Sequence, residues 1–210
     1  MSVRIAGLTG ATLEHTPSVC HECVWWQSRT GGRERDKRRW IEKAETDFGA
    51  WGTVYYDDDG RRALGSMQYG PARLFPRAAE LPAGPPSDDA VLVTCAYLVD
   101  RSSPWVLQSL FLAAIGEAKD RGAAALEAFA YRYTEGESDY ERFLVHRTVF
   151  PHDFLADFGF RAVRSSGRVE LMRLELGGLV PVLEGKRARA LRALKEAFLP
   201  EPLPAPRPPG

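Results

Sequence analysis

The sequence has no net charge to offer a polyelectrolyte. Its 28 Lys+Arg balance 28 Asp+Glu, so no global field draws the chain toward nucleic acid or an anionic membrane. Long apolar runs are missing too. The longest, Val106 to Ile115, is broken by Gln108 and Ser109 and is too short to span a bilayer. The first residues lack a basic stretch followed by a long apolar one, which argues against a secretory leader. Cysteine is scarce. Cys20, Cys23 and Cys95 cannot build a disulfide scaffold, and any pairing leaves one over. No internal repeat occurs. These absences leave a cytoplasmic protein with reduced thiols as the expectation, with neither nucleic acid nor membrane as partner.

What is present suits one globular domain. A chain of 210 residues with 44% apolar content can bury a substantial core. A single domain is expected over residues 1–199, followed by a Pro-rich tail from Pro200 to Gly210. Val3 to Leu8 reads as a first strand. A helix is expected from about Arg33 to Phe48, with Trp40, Ile41, Ala44 and Phe48 on one face and Gly49 as its stop. The mixed-sign run Arg33 to Arg39 reads as the solvated face of that helix. Trp51–Tyr56 and Ala63–Tyr69 form a hairpin around Asp57-Asp58-Asp59-Gly60. Gly70 to Asp89 carries five prolines and reads as a long loop, a lid or a binding wall.

Ala90 to Val99 reads as a buried central strand. Strict alternation puts Val91, Val93, Cys95, Tyr97 and Val99 on one face and Leu92, Ala96 and Leu98 on the other. Ser103-Pro104 opens a helix, serine as cap and proline at the first helical position. That helix buries Leu107, Leu110, Phe111, Ala114 and Ala118 and stops at Arg121-Gly122. Ala125 to Tyr131 is a further strand. Ser138–Arg147 and Pro151–Phe158 read as short helices. Phe160–Val163 pairs with Val169–Leu176 around Ser165-Ser166-Gly167. A last helix, about Glu184 to Phe198, has an apolar side and a cationic one. It is expected to dock by its Leu/Phe stripe and keep its cations in water. The order implies an α/β fold, one mixed sheet with helices on both faces.

The stretch from Ala90 to Arg161 resembles the core of the GNAT acyltransferases. In that family a central strand leads into a phosphate-binding turn and a long helix, then a strand, a short helix and a Gly-Phe pair. Phe154-Leu155-Ala156-Asp157-Phe158-Gly159-Phe160-Arg161 is similar to the terminal segment. With the upstream hairpin, the likeness covers about residues 51–176. It implies a mostly antiparallel central sheet. It further implies acetyl-coenzyme A, or another acyl-coenzyme A, as co-substrate, a small-molecule or peptide amine as acceptor, and direct transfer. A homodimer is compatible with it. Two departures stand out. The family's turn carries glycines, whereas Ser102-Ser103-Pro104-Trp105-Val106-Leu107 has none, and Pro104 removes an amide donor. Many members place a tyrosine, as acid for the leaving thiolate, where this chain has Leu155. Both departures favour the alternative of a GNAT-shaped binding or structural module without catalysis.

Carried onto this sequence, the resemblance assigns the pantetheine contacts to the backbone of Tyr97, Leu98 and Val99. Pyrophosphate would meet Ser103 and the amides of Trp105, Val106 and Leu107. Acid–base candidates are His146, His152 and Tyr133, with Asp153 and Tyr131 close in sequence, because histidine titrates in the useful range. The two histidines serve equally well as helix-end residues. Cys95, on a buried strand, reads as an inert thiol rather than an acyl carrier. Cys20-His21-Glu22-Cys23 has the spacing of half a zinc site. Its further ligands would come from Cys95, His15, His146 and His152, and no second Cys-x-x-Cys exists, so no metal is expected. The plainer role is packing, with Trp25 and Trp26. These two, with the Gly70–Asp89 loop, are candidate acceptor walls.

Overall fold

The order of strands and helices follows from where aromatic and β-branched residues alternate and where apolar residues recur every third or fourth position. The computed structural model describes residues 4–29, 34–57, 59–60, 62–100, 103–133 and 149–177, with backbone alone at 4, 34 and 35. His146, Arg101, Ser102, the helices expected at 138–147 and 184–198, and the tail 200–210 lie outside the described residues. Residues Met1–Leu176 form one unit and Gly177–Gly210 a second; the sheet and its helices belong to the first. No helix among the described residues is long and apolar enough to cross a membrane.

Eight strands make one sheet: β1 (Arg4–Gly7), β2 (Gly52–Tyr56), β3 (Ala63–Pro71), β4 (Ala90–Leu98), β5 (Ala125–Tyr131), β6 (Phe150–Pro151), β7 (Arg161–Ser166) and β8 (Val169–Glu175). Their order is β1-β2-β3-β4-β5-β8-β7, and β6 pairs with β5 beside that path. The β4–β5 and β5–β6 pairs are parallel and the rest antiparallel. The mixed, mostly antiparallel sheet is therefore as expected. Among the described residues four helices accompany it: α1 (Ser18–Glu22), α2 (Glu34–Asp47), α3 (Pro104–Asp120) and α4 (His152–Asp157).

α2 lies on one face. Trp40, Ile41 and Ala44 pack with Trp26, Trp51, Phe75, Leu92 and Phe129, and Gly49, at φ +88, ends the turn after the helix. α3 covers the other face through Val106, Leu107, Leu110, Phe111, Ala114, Ile115 and Ala118. Phe111 is ringed by Phe150, Phe154, Phe158 and Phe160, with ring centres 5.0–6.2 Å away. Each such buried side chain stabilises the fold by roughly 1.5–3 kcal/mol.

Four expectations change. Ser103 precedes α3, but its hydroxyl does not cap the helix; it donates to Asp100 Oδ2 at 2.9 Å. The Gly70–Asp89 segment is not a lid. It folds into two short 3-10 segments, Ala72–Leu74 and Pro76–Glu80, and buries Leu74, Phe75, Ala78 and Ala83 in the α2-side core. Trp40 Nε1 donates to the Leu74 carbonyl at 2.7 Å. Arg164 donates to the Ala83 and Pro85 carbonyls at 3.0 and 2.7 Å. The closing hairpin is tighter at its turn than expected, because Ser165 and Ser166 remain paired with Glu170 and Val169.

The fourth change concerns β4. Its register on β3 steps from Gln68↔Cys95 to Tyr69↔Val93, so Thr94 is an extra residue. This β-bulge resets the alternation. Val93 keeps step with Tyr69, on the α3 face. Cys95 and Tyr97 keep step with Gln68 and Ser66, and turn to the α2 face.

Candidate active site

The bulge is also where the sheet opens. β4 and β5 are laddered from Ala90↔Ala125 to Val93↔Ala128. The ladder ends there. β5 continues with β6, through Ala130↔Phe150 and Tyr131↔Pro151, while β4 runs on to Leu98 against β3. A bulge bends its strand and strengthens the local twist, so the Thr94–Leu98 half of β4 diverges from β5. The Thr94 side chain fixes the bulge: its Oγ1 accepts from Gln68 Nε2 at 2.8 Å and donates to the Gln68 carbonyl at 3.1 Å.

The start of α3 lies just beyond β4. Trp105 is 48% exposed and meets the Tyr55 ring edge-on at 5.4 Å. Val106 and Leu107 turn their side chains into the core, which leaves only their backbone for a ligand. The Val106 amide already donates to the Ser103 carbonyl at 3.0 Å. Of the backbone donors expected there, the Trp105 amide remains for an anion, because the Leu107 amide opens the helical ladder by donating to the N-cap carbonyl of Ser103. Among the expected pantetheine contacts, Tyr97 is half-buried, Leu98 is buried and Val99 is exposed.

At the far end of β5 the chain assembles a polar cluster. The Tyr131↔Pro151 pair brings His152, the first residue of α4, beside that strand end. His152 Nδ1 lies 2.5 Å from Glu170 Oε2, and Arg132 Nε donates to Glu170 Oε1 at 2.8 Å. Burial pushes the Glu170 carboxyl up, but the bonds from Arg132 and His152 outweigh it and hold the group below its ordinary range. A carboxylate on one ring nitrogen orients an imidazole and leaves the other nitrogen for proton transfer. Tyr133, just past β5, packs on Tyr131 with ring centres 4.9 Å apart. Leu155 is fully buried, so that position offers no acid.

On the α2 face a cavity of about 260 Å³ lies between α1, α2 and strands β3 and β4. Cys20, Cys23, Lys37, Gln68, Cys95 and Tyr97 are among its lining residues. Burial pushes the Cys95 thiol up to about 12, so it is a neutral wall rather than a nucleophile. Gln27 Nε2 donates to Gln68 Oε1 at 2.8 Å, which joins the cavity's amides to the bulge at Thr94. Neither Trp25, Trp26 nor the Gly70–Asp89 segment lines it. Trp26 stacks on Phe129 in the core. Trp25 carries the Arg77 guanidinium 4.8 Å from its ring centre. Among the described residues no three His, Cys, Asp or Glu side chains stand together as a metal site.

Lys37 corrects the expectation of a solvated charge run, because it is 3% exposed. Its Nζ lies 4.9 and 5.1 Å from the Trp40 and Trp51 ring centres. Burial pushes its ammonium down from the ordinary lysine value, and the titratable groups that act on it are thiols, not carboxylates. Two indoles offer a desolvated cation roughly 2 kcal/mol each. Removing an ammonium from water costs several kcal/mol even after relaxation, so the rings offset only part of the cost.

Sequence reasoning missed Lys37, Glu170 and the Gln27–Gln68–Thr94 chain. Helical spacing had a signal for the first: Lys37 is three residues before Trp40 and four before Ile41, on their stripe. Nothing comparable marked the other residues.

No protein-family model matches the chain, and no curated protein matches it. Solved structures do. A provisionally assigned acetyltransferase of Acinetobacter baylyi ADP1 aligns at TM-score 0.50 and 12% identity, covering 86% of this chain and 96% of that one. A provisionally assigned acetyltransferase of the GNAT family from Desulfovibrio desulfuricans aligns at 0.48 and 14%, covering 84% and 100%. The PaiA N-acetyltransferase of Thermoplasma acidophilum, in complex with coenzyme A, aligns at 0.44 and 15%, covering 83% and 99%. At such identities the likeness is one of architecture, and the chain has the GNAT acyltransferase fold.

Proposed function

We propose that this protein transfers an acetyl or other acyl group from coenzyme A to an amine, directly and without an acyl-enzyme. The observation that carries the proposal is the parting of β4 from β5 after Val93↔Ala128, beside the start of α3. An extended pantetheine arm can add to the diverging β4 as a short strand would, along Tyr97, Leu98 and Val99. The Trp105 amide, with the positive end of a 17-residue helix, would face the pyrophosphate.

The acceptor amine approaches from the α2-side cavity, whose wall includes Ala96 and Tyr97 of the same strand. Its nitrogen attacks the thioester carbonyl. The C–N bond forms, the C–S bond breaks, the amine loses a proton and the thiolate gains one. His152, oriented by Glu170 on the α3 face and outside the α2-side cavity, is the candidate to protonate the leaving thiolate, with Tyr133 and His146 as further acid–base candidates. We place the protein in the cytoplasm, where the thiols of its three cysteines stay reduced.

A second reading, a binding module that has lost catalysis, is favoured by the committed Val106 amide and by Leu155. Calorimetric titration of acetyl-coenzyme A, with coenzyme A as control, separates the two. Micromolar affinity, about −8 kcal/mol, is expected, and Trp105→Gly, which opens the turn, should preserve or tighten it. No binding to either form at millimolar concentration would end the transferase reading in favour of the module.

A further inference from the structure

Among the described residues that line the α2-side cavity, Lys37 is the one charged side chain. The walls around it are neutral: thiols, carboxamides, hydroxyls and apolar groups. Lys37 is almost fully buried, and among the described side chains no carboxylate pairs with it. Lys37 borders a half-open space of amino-acid size in which no other described lining residue is charged, so an anion entering there meets an unmatched lysine. The indoles of Trp40 and Trp51 hold the ammonium in place but supply no formal negative charge. The Gln68 carboxamide is fixed on both sides, by Gln27 and by Thr94, so the polar wall is set before a ligand arrives.

We propose that Lys37 binds the carboxylate of a small ligand in this cavity, so that the acceptor is an amine that also carries a carboxylate, of amino-acid size. The acceptor role rests on the transferase reading above; the carboxylate site does not. The ligand's carboxylate end faces α2, and its body lies along Cys95 and Tyr97 toward the open half of β4. A cavity of about 260 Å³ is near the lower end of small-ligand sites and takes one molecule of that size. The single cation, with no second base among the described lining residues, suits a carboxylate better than a phosphate, whose greater charge is usually met by more than one cation.

Matched probes test the site: L-leucine, L-methionine and L-phenylalanine, each against its own amide. The pairs differ in the carboxylate and little else. Affinity is read by calorimetry on the full chain without acetyl-coenzyme A. At least one acid should bind the wild-type protein about tenfold or more tightly than its amide. Lys37→Met should abolish that preference. Equal affinity within every pair, a preference that survives Lys37→Met, or no acid binding at millimolar concentration would each overturn the site. The wild-type comparison stands even where the variant fails to fold. Acetyl-coenzyme A is titrated separately. Acid preference without coenzyme binding keeps the site and removes transfer; coenzyme binding without acid preference keeps transfer and overturns the site.

Discussion

A lysine on the inward stripe of a helix is a cost the fold carries at neutral pH. Lys37 lies in register with Trp40, Ile41 and Ala44, all buried, and its lowered pKa means that the unfolded chain binds the proton more tightly than the folded one. The sign follows from linkage: stability attributable to this group falls as pH drops below the ordinary lysine value, and the full penalty is present below the folded value. Lys37→Met keeps the length of the stem and removes the charge. It should stabilise the protein at neutral pH by about 1–2 kcal/mol, a margin that shrinks as pH rises toward 10.5, the ordinary lysine value. Urea melts of both proteins at several pH values measure it. A variant less stable than wild type at neutral pH would show that the ammonium is satisfied in place.

At the scale of elements, the sequence showed which segments were strands and helices but not how one of them was bent. Alternation along Val91, Val93, Cys95 and Tyr97 was regular, and a bulge leaves no mark on such a pattern. Its signal is a hydrogen bond to a residue far away in sequence, from Gln68 to Thr94. The proline-rich segment was opaque for a related reason. Its prolines announced an irregular backbone, whereas its burial depends on Leu74 and Phe75 finding Trp40. Thr94→Val keeps the shape and deletes the hydroxyl, leaving a buried Gln68 amide without its acceptor. The expected loss is about 1–3 kcal/mol, with weaker acetyl-coenzyme A binding because the divergence of β4 from β5 starts at this residue. Chemical denaturation and the coenzyme titration on the same variant report the two effects. Unchanged stability would mean that strand pairing, not the threonine, sets the bulge.

At the scale of the molecule, the order of elements from Trp51 to Leu176 carried most of the fold. Parallel pairing of β4 with β5 through α3 was implied by the strand–helix–strand sequence. The polar ties that lock the sheet were not, because they join residues distant in the chain. Arg173 on β8 reaches Asp89 before β4 and Glu127 on β5, at 2.9 and 3.1 Å. Glu170 on β8 reaches His152 on α4 and Arg132 after β5. The Arg173 bonds hold the Asp89 carboxyl below its ordinary range, and Glu170 is also lowered. Both carboxylates therefore bind protons more weakly folded than unfolded. Their contribution is complete above the ordinary carboxylate range and is lost as pH falls through the lowered folded values. Asp89 is largely exposed, so solvent screens its share; Glu170 is buried and should dominate. A protonated glutamate resembles glutamine in shape and charge. The stability gap between wild type and Glu170→Gln should thus be widest above about pH 5 and narrow as the pH falls below the ordinary carboxylate range through the lowered folded value. Thermal melts across that range decide the point. A gap independent of pH would mean that the hydrogen-bond geometry at Glu170 matters and its charge does not, and the carboxylate would lose its role in orienting His152.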